Sequence, residues 1–496
     1  MKLKTILGKE AISYITSVAE VDESLEKDLK KLEGELGEAL AKVTSLAALC
    51  PLDGRYSSVA DNLREYFSEY ALIKNRVYVE MSWLEWLIAE VQDEALVEGQ
   101  IIYEANRNAI VSIYEDFSIA DAMRVKDIEK VTNHDVKAVE YFIGEKLKAA
   151  GLSQLVSFVH IGCTSEDINN LAYALMIKKA RNEVYIPALK ALIEQLNIWV
   201  EKYKETPMLA KTHGQHATPT TLGKELKVYV KRLEELVNNL DQYDFGKFNG
   251  ATGNYSAISV VFPNENWPEL NKKFVEWLGL KYNPITTQIE SHDNVYNMLN
   301  TIKHINLIIL NFDLDMWMYI SEEYLNQKVE AKEVGSSTMP HKVNPIKFEN
   351  SEGNSYVSNG LIDGICEKMM RSRWQRDLSD STVQRYIGEA MGMSLKLIEE
   401  ATGGLKKCNA NLEKIEEDLE AAWEVLAEPI QTMLRKYGKP DAYDELKALT
   451  RGKKITEDVI RDYIENSRVF SMADRDALLS LTPSSYTGLA EDIANL

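Results

Sequence analysis

The chain has 496 residues, of which 45% are hydrophobic and 27% charged, and its formal net charge is −20. That length accommodates about three domains of ordinary size, and the acidic balance disfavours nonspecific attraction to nucleic-acid phosphates or anionic membrane. No apolar run reaches the ~18 residues that cross a bilayer, and the start lacks the pattern of a secretory signal, so a cytoplasmic protein without membrane or nucleic-acid partners is expected.

Residues 1–45 are rich in Lys and Glu and lack Arg and Pro. Leu25, Leu29, Leu32, Leu36 and Leu40 recur there at three- and four-residue steps, which predicts one amphipathic helical extension. Its acidic content argues against an organellar transit peptide, and packing against a neighbouring subunit is its simplest role. Residues 46–153 stay helical in pattern, through the aromatic-rich stretch 66–91 and the stretch 137–150 that Gly151 closes, and form an expected N-terminal domain.

Residues 154–405 carry the longest periodic runs. These are Ile168, Leu171, Ala172, Leu175 and Met176; then Leu222, Leu226, Val230, Leu233, Val237 and Leu240; then Leu299, Ile302, Ile305, Ile309 and Phe312. Runs of this length predict a central bundle of long helices, and apolar residues on several faces place that bundle at the centre of an oligomer. Residues 406–496 return to shorter helical patterns broken by Gly438, Pro440, Gly452 and Pro483, an expected C-terminal helical domain. Strand-like stretches such as 257–261 are few, so the expected fold class is all-α.

No regular element fits residues 335–345, GSSTMPHKVNP. Pro340 and Pro345 remove two backbone donors and push the residues before them to extended geometry. The resulting loop gathers two hydroxyls, an imidazole, an ammonium and an amide; an ordinary surface loop has similar residue types, and only their order distinguishes it. His213 and His216 in THGQHATP form an H-x-x-H pair, but no third ligand lies nearby and Pro219 interrupts the helix, so no metal is expected. Cys50, Cys163, Cys366 and Cys408 lie far apart without a C-x-x-C pair, which fits reduced thiols.

Thr164 and Ser165 stand where the run from Ile168 begins, and the free N–H groups of a first helical turn attract carboxylates. The same residues before Glu166 and Asp167 also fit a routine helix cap, as does the trio Asn133, His134 and Asp135. Arg371, Arg373, Arg376 and Arg385 offer guanidinium groups shaped to grip phosphate or carboxylate, or else a basic helix face paired with Glu367, Asp377 and Asp380. Neither a P-loop nor a Gly-rich dinucleotide fingerprint is present.

Over ten consecutive positions GSSTMPHKVN resembles the signature G-S-S-x-M-P-x-K-x-N of the fumarase and aspartase superfamily, whose members release fumarate from succinyl-like substrates. His341 is similar to the adenylosuccinate lyase family, where fumarases usually carry Gly and argininosuccinate lyases Gln. The blocks PLDGRY (51–56), TNHDVKAVEYF (132–142), TSEDINN (164–170) and RWQRDLSDSTVQR (373–385) are similar to the bacterial type of that family, and the resemblance covers residues 46–496.

The resemblance implies a three-domain all-α fold, a homotetramer with active sites shared between subunits, and no cofactor. It implies β-elimination of fumarate from adenylosuccinate, giving AMP, and from the succinylated aminoimidazole carboxamide ribotide of purine synthesis. Ser336 would be the general base, with Lys342 stabilising its alkoxide; residue chemistry leaves Ser336 and Ser337 equivalent, and the register of the signature decides between them. His213 would be the general acid and His134 a second active-site histidine, with Asn133 and Asp135 beside the substrate. Thr164, Ser165, Lys342 and Asn344 would hold the succinyl carboxylates and Gln288 a further part of the substrate. Arg55, Tyr56, Arg376, Ser381 and Arg385 would bind the phosphate of a nucleotide monophosphate. At position 216 the family usually has Pro, so His216 adds an imidazole near His213. The rivals are another fumarate-releasing lyase, such as one acting on argininosuccinate, and a noncatalytic helical scaffold.

Overall fold

The structure, a computed structural model, describes residues 46–328, 339, 341–450 and 455–496. The amphipathic extension expected over residues 1–45 lies outside the described residues, as do Ser336 and Ser337.

Two short helical turns, Ser57–Asp61 and Arg64–Phe67, precede α1 (Glu69–Glu90), α2 (Glu94–Glu115), α3 (Ile119–Thr132), α4 (Asp135–Ala149) and α5 (Ser165–Ala180). A π turn at Arg181–Tyr185 leads into α6 (Ile186–Tyr203), the hairpin β1 (Pro207–Thr212) and β2 (Gln215–Thr221), and α7 (Leu222–Asn239). Then come β3 (Phe245–Gly246), α8 (Ser256–Val261), α9 (Trp267–Trp277), β4 (Lys281–Tyr282) and the 29-residue α10 (Asp293–Ser321). The chain continues through β5 (Leu325–Gln327), α11 (Ile346–Met369), α12 (Ser379–Gln384), α13 (Ile387–Lys407) and β6 (Cys408–Ala410) to short C-terminal helices. The described residues are thus mostly helical, with three two-stranded sheets, and no helix among them is long and apolar enough to cross a membrane.

The three periodic runs fall in α5, α7 and α10, with Leu240 just past the end of α7. The strand-like stretch 257–261 is helical instead. Tyr255, at φ 59°, turns the chain into α8, and Ile258 alone of its six residues is buried, so its β-branched side chains have no sheet to join. The helix expected to be interrupted at Pro219 is also corrected, because that residue lies in β2.

The described residues pack as two compact units, each discontinuous in sequence. The first joins the chain up to Pro187 with Leu240–Lys303 and Tyr356–Lys396. Its axis is α1, which starts on Ser68, whose hydroxyl accepts the Ala71 N–H, and which is apolar nearly all round. Such a helix belongs between two layers. Ile73, Val77, Leu84 and Ile88 pack with Ile110, Val125, Val139 and Phe142 of α2, α3 and α4. On the other side Val79, Trp83 and Leu87 pack with Ile168, Leu171 and Leu175 of α5 and Phe274 of α9. Each large apolar side chain buried in this way contributes about 1.5–3 kcal/mol.

The second unit joins Ala188–Asn239 with His304–Ser355 and Leu397–Leu496. Edge-to-face contacts run from Tyr229 of α7 to Phe312 of α10 (5.5 Å) and on to Phe348 of α11 (6.0 Å). Gly404 in α13 is required there, since a Cβ would stand 2.8 Å from the Phe348 ring. The C-terminal helices Leu412–Glu420, Ala427–Lys436 and Glu457–Asn466 each bury one stripe, through Ile415 and Leu419, Ile430 and Leu434, and Ile460 and Ile464.

Candidate active site

The start of α5 organises the candidate residues of the first unit. Thr164 is the N-cap, and its N–H donates to the Asp167 carboxylate (2.9 Å), the reverse half of a capping box, so the routine cap is present. Asp167 does more than cap. It is fully buried, pairs with the equally buried Lys247 (2.9 Å) and accepts the Asn249 N–H (3.1 Å). Lys247 in turn donates to the carbonyls of Gly250 (2.9 Å) and Gln288 (2.7 Å). One buried ion pair therefore ties Thr164 and Ser165 to Gln288, a residue far along the chain; both charges being paired and hydrogen-bonded is what makes their burial tolerable.

Arg376 completes this cluster. Its guanidinium lies 3.1 Å from Glu166 Oε2 and donates to Gln288 Oε1 at 3.3 Å, while its Nε has no hydrogen-bond partner among the described residues. Burial raises the Glu166 carboxyl above its usual range, and Arg376 offsets this only in part. The other two arginines behave as the plainer alternative has it: Arg371 pairs with Glu367 (2.8 Å) and Arg373 with Asp377 (3.4 Å), both exposed. The segment between α11 and α12 is not helical, so these side chains do not share a helix face.

Asn133 ends α3 in the left-handed conformation at φ 51°, and His134 caps α4. The Lys137 N–H donates to His134 Nδ1 (3.1 Å), so the neutral ring carries its proton on Nε2, which is free to face a substrate. The helix cap, rather than Asp135, sets this tautomer. Asp135 instead accepts from the buried Arg76 (2.7 Å), whose Nε bonds Asn169 of α5 (2.8 Å). Burial alone would raise the Asp135 carboxyl, but Arg76 and the Val136 N–H outweigh it and hold it below its usual value. Arg385 reaches to 4.0 Å from Asp135 and pairs with Glu69 (2.6 Å).

Arg385 also lines an open cavity of about 400 Å3 together with Cys50, Leu52, Asp53 and Arg64. Leu52 and Asp53 belong to the turn PLDGRY, in which the Tyr56 N–H closes on the Pro51 carbonyl (2.8 Å). Two distant blocks of sequence thus meet at one cavity. Arg55 is exposed on that turn, and the Tyr56 ring lies under Lys396 Nζ (5.2 Å). Ser381 follows Asp380, whose Oδ1 accepts the Ser381 N–H (2.7 Å).

His213, His216 and Lys342 belong to the second unit. His213 and Gly214 form the two-residue tip of the β1–β2 hairpin, at φ 55° and 71°, the backbone of a type I′ connection. His216 lies on β2, where its Nδ1 stands 3.0 Å from Glu424; Thr218 bonds Glu428 on the same strand. Lys342 is exposed and its N–H closes on the Met339 carbonyl (3.1 Å); Asn344 is half-buried. The four cysteines are free thiols, and no cluster of metal-ligating side chains occurs among the described residues.

Motif reading passed over Arg76, Lys247 and His292. Arg76 shares its helix with Lys74, so spacing does not single it out, whereas a lone Lys between two aromatic residues marks Lys247. Nothing in the sequence sets His292 apart, because a single histidine near a helix start is commonplace.

The family model described as Lyase matches residues 54–358, and that described as Adenylosuccinate lyase C-terminal matches residues 372–487. The adenylosuccinate lyase of Buchnera aphidicola (subspecies Baizongia pistaciae) is 45% identical over 91% of this chain and 97% of its own length. Those of Haemophilus influenzae and Escherichia coli are 44% and 43% identical, over 91% and 90% of this chain and 99% and 98% of theirs. Among solved structures, a fumarate lyase from a Mesorhizobium species superposes with a TM-score of 0.70 at 17% identity, covering 88% of this chain and 96% of that one. A 3-carboxy-cis,cis-muconate lactonizing enzyme from Pseudomonas putida gives 0.68 at 20%, over 87% and 95%. The structural likenesses establish a shared helical fold, and the near full-length sequence matches go further: this chain belongs to the adenylosuccinate lyase family.

Proposed function

We propose that the protein is a carbon–nitrogen lyase that eliminates fumarate from adenylosuccinate, leaving AMP, and performs the same cleavage on the succinylated aminoimidazole carboxamide ribotide. Identity of 43–45% across at least nine-tenths of both chains carries this reading. The buried joining of Arg376, Gln288 and the start of α5 supports it, because it offers a cation and a helix N-terminus to an anionic substrate.

In the proposed reaction the Ser336 alkoxide, stabilised by the Lys342 ammonium, takes the proton from the carbon beside a succinyl carboxylate. The electron pair passes into that carboxylate as a doubly charged aci form, which Lys342, Asn344, Thr164 and Ser165 hold. The carbon–nitrogen bond then breaks, its pair moving to the purine nitrogen, which accepts a proton from His213. His134 offers its Nε2–H to the substrate. Arg55, Tyr56, Arg376, Ser381 and Arg385 hold the phosphate, which needs no further cofactor in this scheme.

The same reading extends to a cytoplasmic homotetramer with shared active sites, and to a division into residues 46–153, 154–405 and 406–496 behind the extension 1–45. An absorbance assay of the purified protein with adenylosuccinate tests the activity: loss of substrate with equimolar AMP and fumarate is expected, and an inactive, folded protein would favour the scaffold reading. A lyase for a phosphate-free acid is separated by Arg376→Ala, which should raise KM for adenylosuccinate by about tenfold or more. An unchanged KM would remove Arg376 from the phosphate-binding set, and no turnover of adenylosuccinate by the unsubstituted protein would favour the phosphate-free acid.

A further inference from the structure

His292 has no part in the reaction scheme above, yet it lies at the centre of a buried polar cluster in the first unit. Its side chain is only 5% exposed, and its backbone is left-handed at φ 62° immediately before α10 begins. Nε2 stands 3.4 Å from Asp380 Oδ2 and 3.5 Å from Gln384 Nε2, both on α12. A carboxylate only accepts, so the ring presents its Nε2 proton to Asp380, and the Gln384 amide, itself a donor, is a neighbour without a hydrogen bond to it. On the other side the His292 N–H donates to Glu290 (2.8 Å), whose second oxygen accepts from Asn283 (2.9 Å). His292 thus couples two segments: 288–292, which carries Gln288, and 376–385, which carries Arg376, Ser381 and Arg385.

Asp380 makes the coupling specific. One of its oxygens meets His292, and the other accepts the Ser381 N–H. Burial alone would raise this carboxyl, but the hydrogen bond and charge of His292, with Arg376 behind, outweigh it and keep it below its usual value. The remaining charged neighbours are Glu166 and Arg376, and Asn170, Tyr173 and Tyr243 line a small adjoining cavity of about 30 Å3. Without His292 one oxygen of a buried carboxylate at the foot of Ser381 would lose its hydrogen bond, and a group left in that state relaxes toward water.

We propose that His292 is a positioning residue for the nucleotide end of the substrate, fixing Arg376 and Ser381 through Asp380 without touching substrate itself. This rests on the phosphate-binding reading given above and adds to it a residue that acts through another. It acts on the affinity for the phosphate-bearing product and leaves the affinity for the dicarboxylate unchanged.

The test is calorimetric binding of AMP and, separately, fumarate to the full-length protein and two variants. Asn tolerates the left-handed backbone but is too short to reach Asp380, whereas the amide nitrogen of Gln reaches about as far as imidazole Nε2. His292→Asn should weaken AMP binding about tenfold and leave fumarate within about twofold, while His292→Gln should stay within about threefold of wild type for both. Equal losses for the two ligands, an unweakened AMP affinity in His292→Asn, or a Gln variant as weak as the Asn variant would each overturn the inference. Wild-type protein that binds no AMP would instead refute the phosphate-end reading on which it rests.

Discussion

At the scale of single residues, the proposed chemistry divides into groups that would move protons and groups that would hold anions, and the two should respond differently to substitution. Ser336→Ala and His213→Ala remove a base and an acid, so each should lower kcat by at least about a hundredfold with KM little changed and the circular dichroism spectrum intact. Turnover within tenfold of wild type in either variant would strip that residue of its role. Motif reading names the residues proposed to hold anions one by one. Spacing could not show that Arg376 turns inward to Glu166 and Gln288 while Arg371 and Arg373 stay paired at the surface, because that choice depends on a non-helical segment. Nor could it find Lys247 and Asp167, whose pairing joins residues about eighty positions apart.

Among elements, the hairpin that presents His213 is the instructive case. The long helices were readable because apolar residues repeated at helical spacing over many turns, and α5, α7 and α10 follow those repeats. The hairpin was not, since its turn is His-Gly rather than the usual Asn-Gly or Asp-Gly and Pro219 suggested a broken helix. Gly214 has open space around it, so its φ of 71° alone restricts it. Gly214→Val should therefore destabilise the turn by about 1–2 kcal/mol. Because His213 shares that turn, kcat should fall by more than tenfold while AMP affinity stays within about twofold. A variant with wild-type kcat would show that the turn does not aim the imidazole.

For the whole molecule, pH dependence of stability is expected to pass through a group that no motif contains. Asp313 of α10 is 1% exposed, and neither carboxylate oxygen has a hydrogen-bond partner among the described residues; the neighbouring Ser351 hydroxyl donates to the Leu397 carbonyl (3.0 Å). Burial raises the Asp313 pKa well above the usual carboxylate range, so the folded protein retains a proton that the unfolded chain releases. This contribution to stability is complete below the unfolded pKa of about 3.9 and falls by about 1.4 kcal/mol per pH unit until the folded pKa is passed. Asp313→Asn cannot ionise, so its stability advantage in urea unfolding should grow from acid toward neutral pH. A constant difference between the two proteins across that range would refute the assignment. Composition disfavours nonspecific attraction to nucleic acid or anionic membrane, but a packing that returns each unit to three separate stretches of chain leaves no mark in a linear reading.

That discontinuity governs how the protein is made. Four of the unit boundaries fall inside helices α6, α10, α11 and α13, so the chain passes from one unit to the other without a linker. During synthesis the first unit lacks its last segment until Lys396 has left the ribosome, and the second stays incomplete until the C-terminus emerges. Neither can be finished early and set aside, so the nascent polypeptide carries apolar helix faces whose partners have yet to be made, a state prone to aggregation.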